Sequence, residues 1–128
     1  MEHQTLETAV NDYFTALSAR DEAQWLALFA DDGIICDPVG SPPKLVKEAS
    51  AQFFALLQQF YEQLTVSPQT IFVAGDGAAA QWQMQVLAKN ARSGTAAGIS
   101  VFEFNDAGQL QKVSSYWDEA ALMAQLKG

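Results

Sequence analysis

The spacing of apolar residues changes once along this chain, and the change limits what it can fold into. Gln81, Gln83 and Gln85 alternate with Trp82, Met84 and Val86, a period of two that a helix would scatter but a strand sorts onto two faces. Gly75-Asp76-Gly77 before this stretch, Asn90 to Gly94 after it, and Asn105-Asp106-Ala107-Gly108 further on all read as turns. They predict a four-strand antiparallel meander from about Gln69 to Trp117. Upstream the period is helical. Leu6, Val10, Phe14 and Leu17, with Ala9 and Tyr13 beside them, form one stripe from Thr5 to Ala19. Asp21 caps a short second helix with Trp25, Leu28 and Phe29 inward, which Asp31-Asp32-Gly33 then stops.

Gly33 to Cys36 reads as a short strand, cut off by Asp37-Pro38 and by Pro42-Pro43, because proline cannot continue a ladder. Asp37 is thereby placed at a strand end. Between Val46 and Leu64 the set Val46, Ala49, Phe53, Leu56, Leu57, Phe60 and Leu64 keeps helical spacing until Ser67-Pro68, predicting the longest helix of the chain. Asp118 caps a last helix through Leu122 and Leu126. Helices followed by an antiparallel sheet make an α+β layer architecture, with one sheet face buried against the helices. A long helix across a strongly curved sheet leaves a cavity between them.

At 128 residues, 49% of them hydrophobic, the expectation is a single domain over residues 1–128. Seven Lys and Arg against fifteen Asp and Glu, a net charge of −8, give no support to binding the phosphate backbone of nucleic acid. The longest apolar run is far below the roughly 20 residues that span a bilayer, so no membrane is expected and a cytoplasmic location is. One cysteine, Cys36, and one histidine, His3, form no metal-ligand cluster. Neither a metal nor another cofactor is expected. Catalysis would fall to carboxylates, hydroxyls and backbone groups.

Four segments carry a resemblance. They are Asp12 to Leu17; Phe29 to Gly33 running into Asp37-Pro38-Val39-Gly40-Ser41; Phe102 to Gly108; and Tyr116-Trp117-Asp118-Glu119. In order and spacing the chain is similar to the ketosteroid isomerases of the nuclear transport factor 2 superfamily, which includes the SnoaL-like proteins. The resemblance implies a cone-shaped, curved antiparallel sheet wrapped around a long helix, with two further helices at the N-terminus. It also implies a homodimer through the outer sheet face, where Gln81, Gln83 and Gln85 are polar for a large contact.

For chemistry, the resemblance matches the family's base, which removes a proton next to a carbonyl, to Asp37. The donor to the resulting oxygen is matched to Tyr13. The second donor, an aspartic acid that the family keeps protonated by burial, falls on Ser100, and the supporting tyrosine falls on Phe54. A serine donates more weakly, and phenylalanine has no hydroxyl. Losing one good oxyanion donor costs about 2.7 to 4 kcal/mol, so steroid isomerisation should be slow.

Alternate residues from Ser100 put Ala96 and Gly98 on its face, and neighbouring strands add Trp82, Met84, Val86, Val113, Ser115 and Trp117. With Leu17, Phe53 and Phe54 these are the candidate substrate-binding residues. Ala96 and Gly98 predict a wider cavity at their end of the strand, unless Trp82 compensates. Such a lining suits a small hydrophobic molecule. Taken alone, Asp37 before proline is a turn residue, Tyr13 a core tyrosine, Ser100 an ordinary strand serine and Trp82 core packing. The readings left open are an isomerase-like enzyme with Asp37 as base, Tyr13 as donor and Ser100 as a weak second donor; a polyketide cyclase or dehydratase; and a non-catalytic ligand-binding or dimerisation module.

Overall fold

The computed structural model describes residues 2–127. Three helices and two strands precede the long hairpins: α1 (His3–Ala19), α2 (Glu22–Ala27), β1 (Phe29–Cys36), β2 (Lys44–Leu45) and α3 (Val46–Phe60). Then follow β3 (Tyr61–Ala74), β4 (Gly77–Ala88), β5 (Ser93–Phe104), β6 (Leu110–Trp117) and α4 (Glu119–Leu126). The strands form one sheet in the order β2-β1-β6-β5-β4-β3. The α+β architecture with a curved sheet is the one expected.

The sheet is larger than the expected meander, and it is mixed. β1 joins it parallel to β6, pairing Ile35 with Val113 and Cys36 with Ser114, and β2 adds antiparallel at its far edge. Asp31-Asp32-Gly33 does not end α2. It lies within β1, where the register with β6 shifts between Phe29 and Ile34. Phe29, expected on the helix, is buried at the start of that strand, and the Leu110 amide donates to the Leu28 carbonyl at 2.9 Å. The helix prediction overran because three apolar residues at helical spacing are also compatible with a helix that stops at a strand.

α3 ends at Phe60, four residues short of the expected Leu64, and with 15 residues it is shorter than α1, which has 17. The reason is a bulge. Tyr61 is already extended (φ −108°, ψ 133°), and β3 shifts register against β4 between Tyr61 and Gln63. The added residue leaves buried Tyr61 and Leu64 three apart, a spacing that imitates a helix inside a strand. Pro68 lies within β3 rather than terminating anything; β3 is an edge strand with a second register shift at Pro68/Thr70, the setting in which a strand accommodates proline.

The apolar faces of α1 and the sheet enclose the core. Leu6, Val10, Tyr13 and Phe14 of α1 are buried against Ala80, Trp82, Phe102 and Val113. α1 lies over β3 and β4, while α3 lies over β1. Two helix caps are as read: the Asp21 carboxylate accepts from the Gln24 amide at 3.1 Å, and Asp118 accepts from Ala121 at 2.9 Å. Ser18 Oγ ties α1 to β3 by accepting from the Val66 amide at 2.9 Å, and Arg20 donates to the Tyr61 carbonyl at 2.8 Å. No helix among the described residues is long and apolar enough to cross a membrane.

Candidate active site

Between α1, α3 and the concave sheet face lies a cavity of about 110 Å³. α1 contributes Tyr13, Phe14 and Leu17, α3 contributes Phe53 and Leu57, and the sheet supplies Trp82, Met84, Ser100, Ser115 and Trp117. Half-buried Leu17, Phe53 and Leu57 and exposed Glu119, the first residue of α4, mark its opening. Such a volume is near the roughly 150 Å³ that holds a benzene molecule. A single ring fills it.

Asp37 reaches the cavity because β1 ends one residue earlier and the next segment is pinned back onto β6. The Val39 amide donates to the Ser115 carbonyl at 2.7 Å, so the carboxylate is turned along β6 towards Trp117. The Trp117 indole N–H donates to Asp37 Oδ1 at 2.6 Å. Burial pushes the Asp37 carboxyl up from 3.8 to about 6; the Trp117 hydrogen bond opposes the rise and the Glu119 charge adds to it. Tyr13 is 1% exposed. Burial pushes its phenol far above the ordinary value, and the Asp37 charge pushes in the same direction. The phenol therefore stays protonated and available as a donor.

No hydrogen bond of full geometry occupies the Trp25 indole N–H among the described residues, although it is buried. It lies beside Tyr13 and slightly opposes the rise in the phenol's proton affinity. Phe54, where the family's supporting tyrosine falls and which was a candidate substrate-binding residue, does not line the cavity. Its ring packs edge-on against Trp25 and Phe53, with centroids 5.3 and 5.2 Å apart.

On the sheet, Ser100 and Ser115 are cross-strand partners with Oγ atoms 2.7 Å apart, and Trp82 Nε1 donates to Ser100 Oγ at 2.9 Å. Both serines are buried and line the cavity. Two residue pairs along, on the same face, Trp82, Gly98 and Trp117 pair across β4, β5 and β6. The expected widening at Gly98 is absent. A Cβ there would stand 2.6 Å from Trp82 Cζ2 and 2.8 Å from Trp117 Cβ; the Trp82 indole and the root of the Trp117 side chain occupy the space that glycine vacates. Ala96, Gly98, Val86 and Val113 do not reach the cavity wall. Val86 and Val113 are buried in the core, and Ala96 pairs with Met84 while packing against that core.

Structure thus brings together Asp37, Tyr13, Ser100, Leu17, Phe53, Trp82, Met84, Ser115 and Trp117. Sequence reasoning missed the lining residues Phe14, Leu57, Tyr61, Leu64 and Val66, Glu119 at the opening, and the use of the Trp117 and Trp25 indoles. Tyr61 was hidden by its placement on a helix, and the direction of an indole N–H leaves no trace in periodicity. Cys36 is a buried free thiol that packs as a small apolar side chain. Among the described residues no three His, Cys, Asp or Glu side chains converge to hold a metal.

Residues 10–113 match the family model of the SnoaL-like domain. This chain belongs to that family. The SnoaL-like fold is shared with solved structures of low identity. A Xanthomonas campestris protein assigned provisionally as a polyketide cyclase superposes with a TM-score of 0.86 at 19% identity, over 97% of this chain and 98% of that one. An NTF2-like protein of unknown function from Burkholderia pseudomallei gives 0.84 at 19%, covering 100% of both chains. SalBIII, an epoxide hydrolase/cyclase-like enzyme of pyran ring formation in salinomycin, gives 0.81 at 18%, over 93% of this SnoaL-like chain and 95% of its own.

Proposed function

We propose that this SnoaL-like chain is an enzyme that moves a proton next to a carbonyl or enol of a small hydrophobic substrate, without a cofactor. Asp37 is the general base and Tyr13 the donor to the oxygen on which charge develops, with Ser100 a weaker second donor. One observation carries the reading: a carboxylate raised to about 6 faces a mainly apolar cavity that also holds a protonated phenol. A base poised near the working pH and a neutral donor aimed at the same space are what enolisation requires. The cavity takes one ring, so the rest of a larger substrate passes out beside Phe53, Leu57 and Glu119.

Conversion of 3-cyclohexenone to the conjugated 2-cyclohexenone, followed by ultraviolet absorbance, tests the chemistry on a ligand of fitting size. A 5-ene-3-ketosteroid tests the longer substrate. Asp37→Asn is expected to lower the rate by about a hundredfold or more. An unchanged rate rejects Asp37 as base. A second reading, polyketide cyclase chemistry with the same base, is supported by the family and by the name given to the Xanthomonas relative.

The outer sheet face is proposed to meet a second copy of the chain. Phe72, Ile99 and Tyr116 are 69%, 48% and 55% exposed, and Ile99 pairs directly with both Gln81 and Tyr116. The glutamine row is therefore continuous with an apolar patch.

A further inference from the structure

Two hydroxyls and one indole leave an arithmetic remainder in this cavity. An indole N–H only donates, so Ser100 Oγ accepts from Trp82. The Ser100–Ser115 hydrogen bond consumes one of the two hydroxyl protons, whichever serine gives it. One proton is left on the serine that accepts, and at least one lone pair is left on the serine that donates. Both atoms line the cavity, 2.7 Å apart. That separation is itself a hydrogen-bond distance.

We infer that Ser100 and Ser115 form a subsite for a ligand hydroxyl, which closes a three-membered ring of O–H groups with them. In that ring the ligand oxygen accepts from one serine and donates to the other, and the serines bond to each other. Trp82 holds the fourth contact and anchors Ser100. A carbonyl oxygen has no proton and can take only half of this arrangement. The subsite therefore prefers an enol, alcohol or phenol to the corresponding ketone or ether.

Charge selects in the same direction. Asp37 and Glu119 line the cavity, and among the described residues no lysine, arginine or histidine does. An anionic ligand oxygen would meet negative charge without a counter-ion, whereas a neutral hydroxyl meets two neutral partners. Polarisation around a closed hydroxyl ring strengthens each bond. The subsite rests on the proposed reading only in taking this cavity as the ligand site, and it bears on that reading by binding the enol better than the keto form.

The test uses the full chain with phenol, anisole and toluene as single-ring probes, titrated by calorimetry or by NMR. Relative to toluene, phenol affinity is expected to fall at least about tenfold in Ser100→Ala and in Ser115→Ala, since each leaves a hydroxyl incompletely paired. The double variant is expected to fall no further than either single one, because either loss opens the ring. Anisole, which cannot close it, should change by about threefold or less. Unchanged toluene binding and a retained single cooperative thermal transition, lowered by the unpaired hydroxyl or indole, report an intact cavity. Ser100→Cys and Ser115→Cys, which keep a side chain of similar shape with a weak donor, give the same readout if an alanine variant does not fold.

A phenol-to-toluene ratio that survives both single variants overturns the ring, as does one whose losses simply add in the double variant. A ratio that falls in Asp37→Asn while the serine variants keep it assigns phenol to the carboxylate, which overturns the subsite and leaves the base in place. The serine effect without any enone conversion supports the subsite and rejects the proposed reaction alone.

Discussion

At Asp37 burial and hydrogen bonding act in opposite directions, and the consequences can be measured separately. The folded carboxyl, at about 6 against 3.8 in its ordinary state, holds its proton more tightly than the unfolded chain does. Its contribution to stability is therefore most favourable below about pH 4 and is lost as pH rises through about 6. At pH 8 the ionised group costs on the order of 2–3 kcal/mol. Asp37→Asn should raise the melting temperature at about pH 8, with the gain disappearing near pH 4, while slowing enone conversion by about a hundredfold or more. Trp117→Phe removes the hydrogen bond that favours the charged form. The acidic limb of the kcat/KM profile, expected near 6, should move up by about one pH unit. Of these residues, Asp37, Tyr13 and Ser100 could be picked out through the family resemblance and strand alternation. The indole of Trp117 could not be assigned to Asp37, because the two lie 80 positions apart in sequence and meet only through folding.

Among the elements, the central rung of the sheet sets the geometry of both candidate groups. Trp82 and Trp117 flank Gly98, with ring centroids 5.8 Å apart, and each directs its N–H to a different partner, Ser100 or Asp37. A methyl group at position 98 would also stand 2.6 Å from the Tyr116 carbonyl, a backbone atom that cannot rotate away. Gly98→Ala should destabilise the chain by about 2–3 kcal/mol in urea unfolding, the upper range for overpacking, and shift tryptophan fluorescence as both indoles move. Elements with one consistent period were legible from sequence, including α1, the alternation of β4 and the caps at Asp21 and Asp118. Where a bulge broke the period, at Tyr61 and Gln63, a strand read as the continuation of a helix. The parallel pairing of β1 with β6 left no local sign, since the two strands are joined by most of the chain.

For the whole molecule, the exposed patch on the sheet is where the proposed contact between two copies can be tested. If Ile99 and Tyr116 lie in a contact between two chains, sedimentation at micromolar concentration should give a dimer, and Ile99→Lys with Tyr116→Lys should give a monomer with unchanged secondary structure. A wild-type monomer would remove the proposal. Sequence alone determined the succession of helices and hairpins and the apolar face each presents, because these follow from local spacing, turn chemistry and capping. Tertiary structure decided how much room was left at Gly98, which indole reached which oxygen, and how strongly Asp37 is shielded from water. Those are properties of distances between segments remote in the chain, and no pattern within a single segment encodes them.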